Sequence, residues 1–393
     1  MKNKYELLAP AGNFPMLVAA VNAGADAVYF GLKEFSMRAN ARNFTIKDLD
    51  KIEKICKPKG VKRFLTMNII IYDKEIKKVE ATIKKIKGKV DAVICWDLSV
   101  INLCKKYKIP FHISTQASVA NSEAAKFYKI LGAERVVLAR ELNLKQIKEI
   151  SKSVDVETFA HGAMCVAVSG RCFMSQHLFG RSANRGQCIH PCRRSYTVKD
   201  NQEGFELKLE NNKVMSAKDL CALPFIDKLK KAGIVSFKIE GRNRDPRYVE
   251  TVVRVYREAL DSKKLTKEKI SYLMEELKTV YNRKFSSGFY LGLPTSDDFT
   301  DVEHSAATEK KHFIGRITHY YPKAEVATIK LVSSLKVGDK IVVIGKTTGI
   351  KKSKIERIEI KHKSFKTAKK GQEIGIKLPL VRKNDEVYLI KKS

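Results

Sequence analysis

The chain has 393 residues, of which 44% are apolar, and 76 Lys+Arg against 43 Asp+Glu give it a formal net charge of +33. From this length we expect two domains, with three as the alternative, each with a hydrophobic core of ordinary size. No secretory h-region and no apolar run of roughly 18 residues is visible, so we expect a cytoplasmic protein without a membrane partner. So large a positive charge favours a nucleic-acid partner; the alternative is a thermophile-like lysine bias, although that bias normally raises glutamate too.

Short apolar runs alternate with amphipathic helical patterns over residues 1–290. Asn121 and Asn143 are predicted N-caps of two of these helices. The alternation predicts an α/β fold, a (β/α)₈ TIM-like barrel, with an open doubly wound sheet as the alternative. The eight predicted strands are Glu6–Ala9, Ala27–Phe30, Phe64–Ile71, Ala92–Trp96, Phe111–Thr115, Arg135–Ala139, Val156–Ala160 and Val235–Ile239.

Polar side chains recur at alternate positions of three predicted strands, so each set shares one face. Unpaired buried charge is costly, so the plainest interpretation of Glu157 and Lys238 is an ion pair inside the barrel. His161 and Glu240 lie at the strand ends, where barrels carry their function, and together with His112 they are the candidates for proton transfer. The three sets are His112, Ser114 and Gln116; Glu157, Phe159 and His161; and Ser236, Lys238 and Glu240.

Four of the eight cysteines lie between residues 165 and 192, directly after the seventh predicted strand, and Cys221 follows. Residues 161–215 are therefore predicted to form an enlarged, cysteine-rich loop at the barrel mouth. Clustered cysteines in a reducing compartment indicate metal or redox chemistry. The candidates are an iron–sulfur cluster, structural zinc, a catalytic thiol such as Cys165 beside His161, or buried structural thiols.

The spacing of the cysteines favours the iron–sulfur cluster over zinc. Only the pair Cys188 and Cys192 has the close spacing of a zinc knuckle, and Cys165 is separated from Cys172 by six residues. The remaining cysteines occupy apolar positions of predicted helices or strands and are expected in the core. They are Cys56, Cys95 and Cys104.

Arginines accompany the cysteines. Guanidinium groups pair bidentately with carboxylates and phosphates, so these arginines are candidates for binding an anionic substrate. The alternative is that they form salt bridges which organise the loop. The candidates are Arg171, Arg185, Arg193, Arg194 and, after the eighth strand, Arg242.

Residues 291–310 are predicted to be a linker, and residues 311–393 a small C-terminal antiparallel β-barrel, because short β-like runs there are separated by turn residues. Residues 301–393 hold 22 Lys+Arg and 10 Asp+Glu. A basic β-barrel of this kind is a common RNA-binding arrangement. The alternative is that the lysines only form a solvent-exposed surface, as runs of lysine more often do.

Three groups of motifs carry a family resemblance. They are Glu6–Gly12 with Gly24–Gly31; Glu157…His161-Gly162-Ala163-x-Cys165…Ser169-Gly170-x-Cys172…Asn184-Arg185-Gly186-x-Cys188…Pro191-Cys192-Arg193; and Ser216-x-Lys218-Asp219-Leu220-Cys221 with Phe237–Arg242. On these motifs the chain resembles peptidase family U32, the collagenase-like protease family, over nearly its whole length.

The resemblance implies a barrel with a C-terminal β domain, and it offers two activities. The family is labelled as peptidases, whereas members with this layout are associated with hydroxylating pyrimidines in tRNA or ribosomal RNA. Relatives that hydroxylate a quinone precursor without oxygen carry [4Fe–4S] clusters, and the RNA-modifying members are linked to prephenate as oxygen donor. We therefore expect an iron–sulfur-dependent, oxygen-independent RNA hydroxylation enzyme, with tRNA the favoured substrate and an electron-donor protein as a further partner.

The resemblance assigns Cys165, Cys172 and Cys188 as cluster ligands. Cys221 is favoured as the fourth, because Cys192 follows Cys188 by one helical turn and is expected to point away; Cys192 is the alternative. The peptidase hypothesis lacks a His-Glu-x-x-His helix, a Gly-x-Ser-x-Gly elbow and an evident triad, although a histidine with a glutamate could activate water. A non-catalytic RNA-binding or cluster-carrying subunit is the third hypothesis.

Overall fold

The computed structural model describes residues 4–39, 41–168, 171–194, 196–204, 206–207, 215–302 and 304–393. Ser169 and Gly170 of the motif above lie outside these ranges. The described chain forms a parallel α/β barrel followed by an antiparallel β domain, which confirms the predicted fold class. Within the described ranges, no helix is long and apolar enough to cross a bilayer.

Twelve strands build the first part of the described chain. In chain order they are β1 (Glu6–Pro10), β2 (Ala27–Gly31), β3 (Lys62–Thr66), β4 (Ala92–Cys95), β5 (Phe111–Ile113), β6 (Arg135–Val137), β7 (Val156–Gly162), β8 (Val198–Lys199), β9 (Glu206–Leu207), β10 (Asp219–Cys221), β11 (Ser236–Ile239) and β12 (Phe285–Ser286). Strands β1 to β7 run parallel in sequence order, and β11 pairs with both β7 and β1, so the eight strands close a barrel. Strand β10 extends β7 in the antiparallel sense, and β12 pairs with β10.

Helices cover the outside of the barrel and begin at side-chain caps. The predicted caps are confirmed: Asn121 Oδ1 accepts from the Ala124 N–H at 2.8 Å, and Asn143 Oδ1 from the Gln146 N–H at 3.1 Å. The helices are α1 (Phe14–Asn22), α2 (Leu49–Cys56), α3 (Ile76–Ile86), α4 (Leu98–Tyr107), α5 (Ser122–Ile130), α6 (Leu144–Ser151), α7 (Met174–Phe179), α8 (Ile226–Lys231), α9 (Pro246–Asp261) and α10 (Lys267–Lys278).

The third strand is shorter than predicted. It ends at Thr66, and residues 67–71 leave the sheet at the barrel mouth. The polar side chain of Asn68 explains the break: its Nδ2 donates to Gln116 Oε1 at 3.3 Å, and its carbonyl accepts from the Trp96 Nε1–H at 3.0 Å. The predicted strand Phe64–Ile71 therefore includes a segment that forms part of the rim instead.

A buried ion network lies inside the barrel beneath its mouth. Glu157 is fully buried; its carboxylate contacts the Lys238 ammonium at 2.7 Å and the Arg135 guanidinium at 3.3 Å, and Arg135 also pairs with Glu6. Burial alone would raise the pKa of Glu157, but the cations of Lys238 and Arg135 outweigh it and hold that pKa below its usual range. The ion pair predicted for Glu157 and Lys238 is confirmed.

The C-terminal domain is antiparallel, as predicted. Its strands are β13 (Glu309–Tyr321), β14 (Val326–Leu331), β15 (Leu335–Lys336), β16 (Lys340–Gly345), β17 (Gly349–Lys354), β18 (Ile358–Ile360), β19 (Lys363–Phe365), β20 (Thr367–Ala368), β21 (Glu373–Lys377) and β22 (Glu386–Lys392). The main sheet runs in the order β17-β16-β22-β13-β14-β21-β18-β19, so its described pairings leave β17 and β19 as edges.

Strand β17 packs the C-terminal domain against α1 and α9. Gly349 has a positive φ of 67°, and a Cβ built on it would lie 2.7 Å from Val18 Cγ1, so only glycine permits this approach. Ion pairs flank the contact: Lys352–Glu250 at 2.6 Å and Lys311–Asp245 at 2.8 Å. The basic domain is thereby fixed beside α9, whose first turn follows the barrel mouth.

We predict that Lys238→Met lowers the free energy of unfolding by about 3 kcal/mol, because it leaves Glu157 buried with one cation fewer. Denaturant titration measures this effect. Lys152→Met is the control: it breaks an exposed pair with Glu149, 62% and 63% exposed, and should change stability by less than about 0.5 kcal/mol. Equal losses in the two variants would contradict the buried network.

The same network predicts a pH dependence. The folded pKa of Glu157 is lowered, so its stabilisation is present above the unfolded value of about 4.3 and is lost as pH falls through the folded value. The stability advantage of the wild type over Glu157→Gln should therefore be constant near neutrality and narrow below about pH 4. An advantage that grows on acidification would refute this.

Candidate active site at the barrel mouth

A cavity of about 200 Å³ lies at the carboxyl ends of the barrel strands, between the strands and the cysteine-rich loop. Phe159 of β7 and Lys238 of β11 line its barrel side. The loop closes the other side, where it contributes Ala163, Cys165 and Pro191. The position agrees with the rule that barrel enzymes carry their chemistry at this face.

Four cysteines line this cavity together: Cys165, Cys172, Cys188 and Cys192. Each comes from a separate turn of the loop, and local hydrogen bonds hold the turns. The Cys172 N–H donates to Asn184 Oδ1 at 3.0 Å, and the His190 N–H donates to Cys188 Sγ at 3.4 Å. The predicted cysteine cluster therefore exists as one thiol-bearing wall.

The predicted fourth ligand, Cys221, lies apart from the other clustered cysteines. Cys221 does not line the cavity; its Sγ lies 3.7 Å from both the Tyr256 hydroxyl and Met274 Sδ behind the barrel wall, where burial raises its pKa to about 11. Cys192 lies with the other three instead. The reason is His190, whose left-handed backbone (φ 57°) turns the chain between Cys188 and Cys192, so the two are not separated by a regular helical turn.

The donor set at this cavity, four thiols, is the ligand type that a [4Fe–4S] cluster takes. Among the described residues, no three Cys, His, Asp or Glu side chains converge closely enough to hold one metal ion. A zinc ion needs its ligands converging on a single point, whereas in a cubane each thiolate binds a different iron. Thiols spread around one cavity suit the second arrangement.

An ionised carboxylate stands among arginines in the lining of the same cavity. Glu240 Oε1 accepts from Arg38 Nε at 3.3 Å and Nη2 at 3.1 Å, and Arg140 Nη2 lies 3.9 Å from Oε2. Burial would raise the pKa of Glu240, but Arg38, Arg140 and Arg242 overcome it and lower that pKa to about 2. Glu240 thus lines the cavity as a counter-ion, and proton transfer by it near neutrality is not supported.

Arg242 is fixed in the cavity wall by hydroxyl groups. Its Nη1 donates to Ser36 Oγ at 2.6 Å and to Thr66 Oγ1 at 2.9 Å. Gly31 makes room, because a Cβ there would lie 2.6 Å from that nitrogen. Burial lowers the pKa of Arg242 to about 10, so it remains a cation at neutral pH.

Arg193 also lines the cavity and links the start of the loop to the segment before β10. Its Nη1 donates to Ser216 Oγ at 3.1 Å and to the Ala217 carbonyl, and its Nη2 to the Met164 carbonyl. Of the five arginines predicted to bind substrate, Arg193 and Arg242 are therefore in the cavity.

The other three predicted arginines lie outside this cavity. Arg185 forms a bidentate salt bridge with Glu75, which is the structural role weighed for these residues. Arg194 is exposed, 4.5 Å from the Phe179 ring centre, and Arg171 is exposed on the rim. Their proximity in sequence to the cysteines did not place them in the same cavity.

Four further arginines line the cavity without belonging to the predicted substrate-binding set. Arg140 ends the segment after β6 and Arg244 follows Arg242, so their strand-end positions indicate the mouth. Arg38 and Arg283 come from irregular segments, which carry no such signal. Arg244 lies 3.6 Å and Arg283 5.4 Å from the Tyr281 ring centre. With Lys238, the described lining holds seven cationic side chains against the single carboxylate of Glu240.

Neither predicted histidine reaches the cavity. The pairing of β7 with β11 shifts register after Phe159, and this irregularity turns His161 outward against Tyr248, Tyr256 and Phe285. Burial there lowers the pKa of His161 to about 3, which keeps it neutral.

His112 lies deeper in the barrel than the cavity. Its ring packs edge-on to Phe64 at 4.7 Å, and its Nε2 is 3.7 Å from Glu134. The proton-transfer roles assigned to His112 and His161 are not supported by these positions.

Comparisons with known proteins agree with the motifs. The family model described as Peptidase family U32 matches residues 12–299. A collagenase of Porphyromonas gingivalis is 42% identical over 410 residues, 99% of this chain and 99% of that protein. A tRNA hydroxylation protein of Bacillus subtilis is 36% identical and covers 87% of this chain and 84% of its own length. A 23S rRNA 5-hydroxycytidine synthase of Escherichia coli is 40% identical over 66% of this chain and 40% of its length. The chain therefore belongs to peptidase family U32.

Proposed function

We propose that this protein is an enzyme that hydroxylates a pyrimidine of RNA, with tRNA the favoured substrate, without using molecular oxygen. One observation carries the proposal: four thiols and six arginines line the same cavity at the barrel mouth. Relatives named for tRNA and rRNA hydroxylation, which share 36% and 40% identity with this chain, support it.

Cys165, Cys172, Cys188 and Cys192 would hold a [4Fe–4S] cluster. When bound, the cluster supplies electron transfer at the barrel mouth. A mouth rich in arginine suits an anionic oxygen donor, for which a prephenate-like dicarboxylate is our candidate, and an electron-donor protein completes the scheme.

The residues of this chain bind and orient. Arg242 and Arg193 present guanidinium N–H groups whose positions are already fixed by Ser36, Thr66 and Ser216, so they can receive carboxylate or phosphate oxygens without rearranging. Glu240 remains ionised and orients Arg38 and Arg140. Its role is to hold the cations in place.

The collagenase name of one relative keeps a peptidase as the second candidate. Its chemistry has weaker support. Peptide hydrolysis needs an activated nucleophile or water. His161 faces away from the cavity, and Glu240 is committed to arginines with a pKa of about 2, so neither is positioned to activate water there.

The cluster hypothesis predicts roughly four iron and four sulfide per chain in protein purified without oxygen. Cys192→Ser should lose the brown chromophore and most of the iron, because that thiol lies on the cavity wall. Cys221→Ser is the matched control and should keep both. Zinc in place of iron, or bleaching by Cys221→Ser alone, would contradict the assignment.

RNA binding should depend strongly on salt. The hairpin of β18 and β19 turns at Lys361 and His362, both left-handed, and raises lysines into solvent. Replacing Lys361, Lys363 and Lys366 by glutamine should reduce the slope of log affinity for tRNA against log salt by about 2. The control replaces the equally exposed Lys54, Lys57 and Lys59 near the opposite end of the barrel.

Equal slopes in the two triple variants would contradict a role for the hairpin. In that case the lysines of β19 would serve only to protect a sheet edge from pairing with other chains.

The reaction itself is tested in cells that lack the gene. Their tRNA or ribosomal RNA should lose a hydroxylated pyrimidine, detected by mass spectrometry of digested nucleosides. The wild type and Cys221→Ser should restore it, and Cys192→Ser should not. Unchanged RNA, together with gelatin cleavage by purified, iron-free protein, would establish the peptidase instead.

A further inference from the structure

A second cavity, of about 220 Å³, lies on the rim beside the first. It shares Met37 and Gln116 with the first cavity, so the two are neighbours across one wall. The other side chains used below are Trp96, Arg171 and Phe173. Nothing in the function derived above uses these three residues.

Trp96 is held so that its ring remains available. It follows β4, is only half-buried, and its Nε1–H donates to the Asn68 carbonyl at 3.0 Å. That bond fixes the ring and satisfies its polar atom. What is left for a ligand is an aromatic surface of fixed orientation, which loses little conformational entropy on binding.

Arg171 and Phe173 complete the subsite from the loop. The Arg171 guanidinium lies 5.6 Å from the Trp96 ring centre and donates to the Gln116 carbonyl at 3.3 Å, with its remaining N–H groups open to solvent. Phe173 is 72% exposed, unusual for a phenylalanine beside a cavity. Aromatic rings next to an exposed guanidinium suit a flat, neutral ring joined to an anion.

We propose that Trp96, Phe173 and Arg171 form a stacking subsite for the base that neighbours the modified pyrimidine, with Arg171 on its phosphate. The inference rests on the proposed function for the identity of the RNA. The charge of +33 and the cation-lined cavity next door favour a nucleic-acid strand over an apolar peptide. Adjacent cavities sharing one wall suit two consecutive nucleotides of an unpaired strand.

Trp96 is the single tryptophan of the chain, so its emission reports on this subsite alone. Titrating the full-length, cluster-loaded protein with a pyrimidine-rich RNA oligonucleotide should quench Trp96 saturably. An abasic sugar–phosphate strand of equal length should bind through its charge and leave the emission nearly unchanged. Equal quenching by the two strands, or no quenching at saturating RNA, would overturn the proposal.

Phe173→Ala should weaken oligonucleotide binding by about tenfold, the scale of one lost base stack. Arg171→Gln should weaken it and reduce its salt dependence. Phe127→Ala is the matched control: Phe127 is 57% exposed on α5 and should leave the affinity unchanged. Equal effects of Phe173→Ala and Phe127→Ala would also overturn the subsite.

The two proposals fail separately. If the wild type hydroxylates RNA but RNA does not quench the Trp96 fluorescence, the subsite is wrong and the proposed function stands. If quenching depends on the base but no hydroxylated product forms, the RNA-binding subsite stands and the proposed reaction is wrong. A redox protein, rather than RNA, could quench the Trp96 fluorescence and lose its binding in Phe173→Ala. In that case the surface binds the electron donor and the inference is wrong.

Discussion

Excess positive charge is the constraint on which the barrel mouth depends. Seven cationic side chains line the cavity; Lys238 pairs with Glu157, and Glu240 neutralises only part of the remaining charge. Hydrogen bonds hold cations of this set in place, Arg242 through two hydroxyl groups and Arg140 through the Ala163 carbonyl at 2.8 Å. A site with excess fixed positive charge binds anions without reorganising, which is the basis of electrostatic preorganisation.

The same cations assemble the cysteine-rich loop. Arg140 joins the barrel to the start of the loop at the Ala163 carbonyl, and Arg193 links a later part of the loop to the Met164 carbonyl. The loop has little regular structure of its own, because α7 is its one described α-helix and spans six residues. Ligand binding and loop folding therefore depend on shared groups, and losing one arginine would disturb both.

Periodicity and spacing predicted the barrel, the basic β domain and the gathering of cysteines, because each depends on patterns that repeat locally. Three features of the site depend on local backbone irregularities, which periodicity does not indicate. A register shift turned His161 outward, a left-handed His190 brought Cys192 to the wall, and Arg38 entered the mouth from an irregular segment. Such irregularities are set by tertiary packing and leave no periodic signal.

The ions buried beneath the mouth have a consequence for temperature. Removing Glu157, Lys238 and Arg135 from water is costly when cold, but hydration of charged groups becomes less favourable on heating, so that cost shrinks. Hydrophobic burial gains no comparable advantage. The buried ions should consequently contribute a larger share of the folding free energy at high temperature than at low temperature. The geometry of the barrel mouth above them would then be maintained at temperatures where apolar packing alone stabilises less.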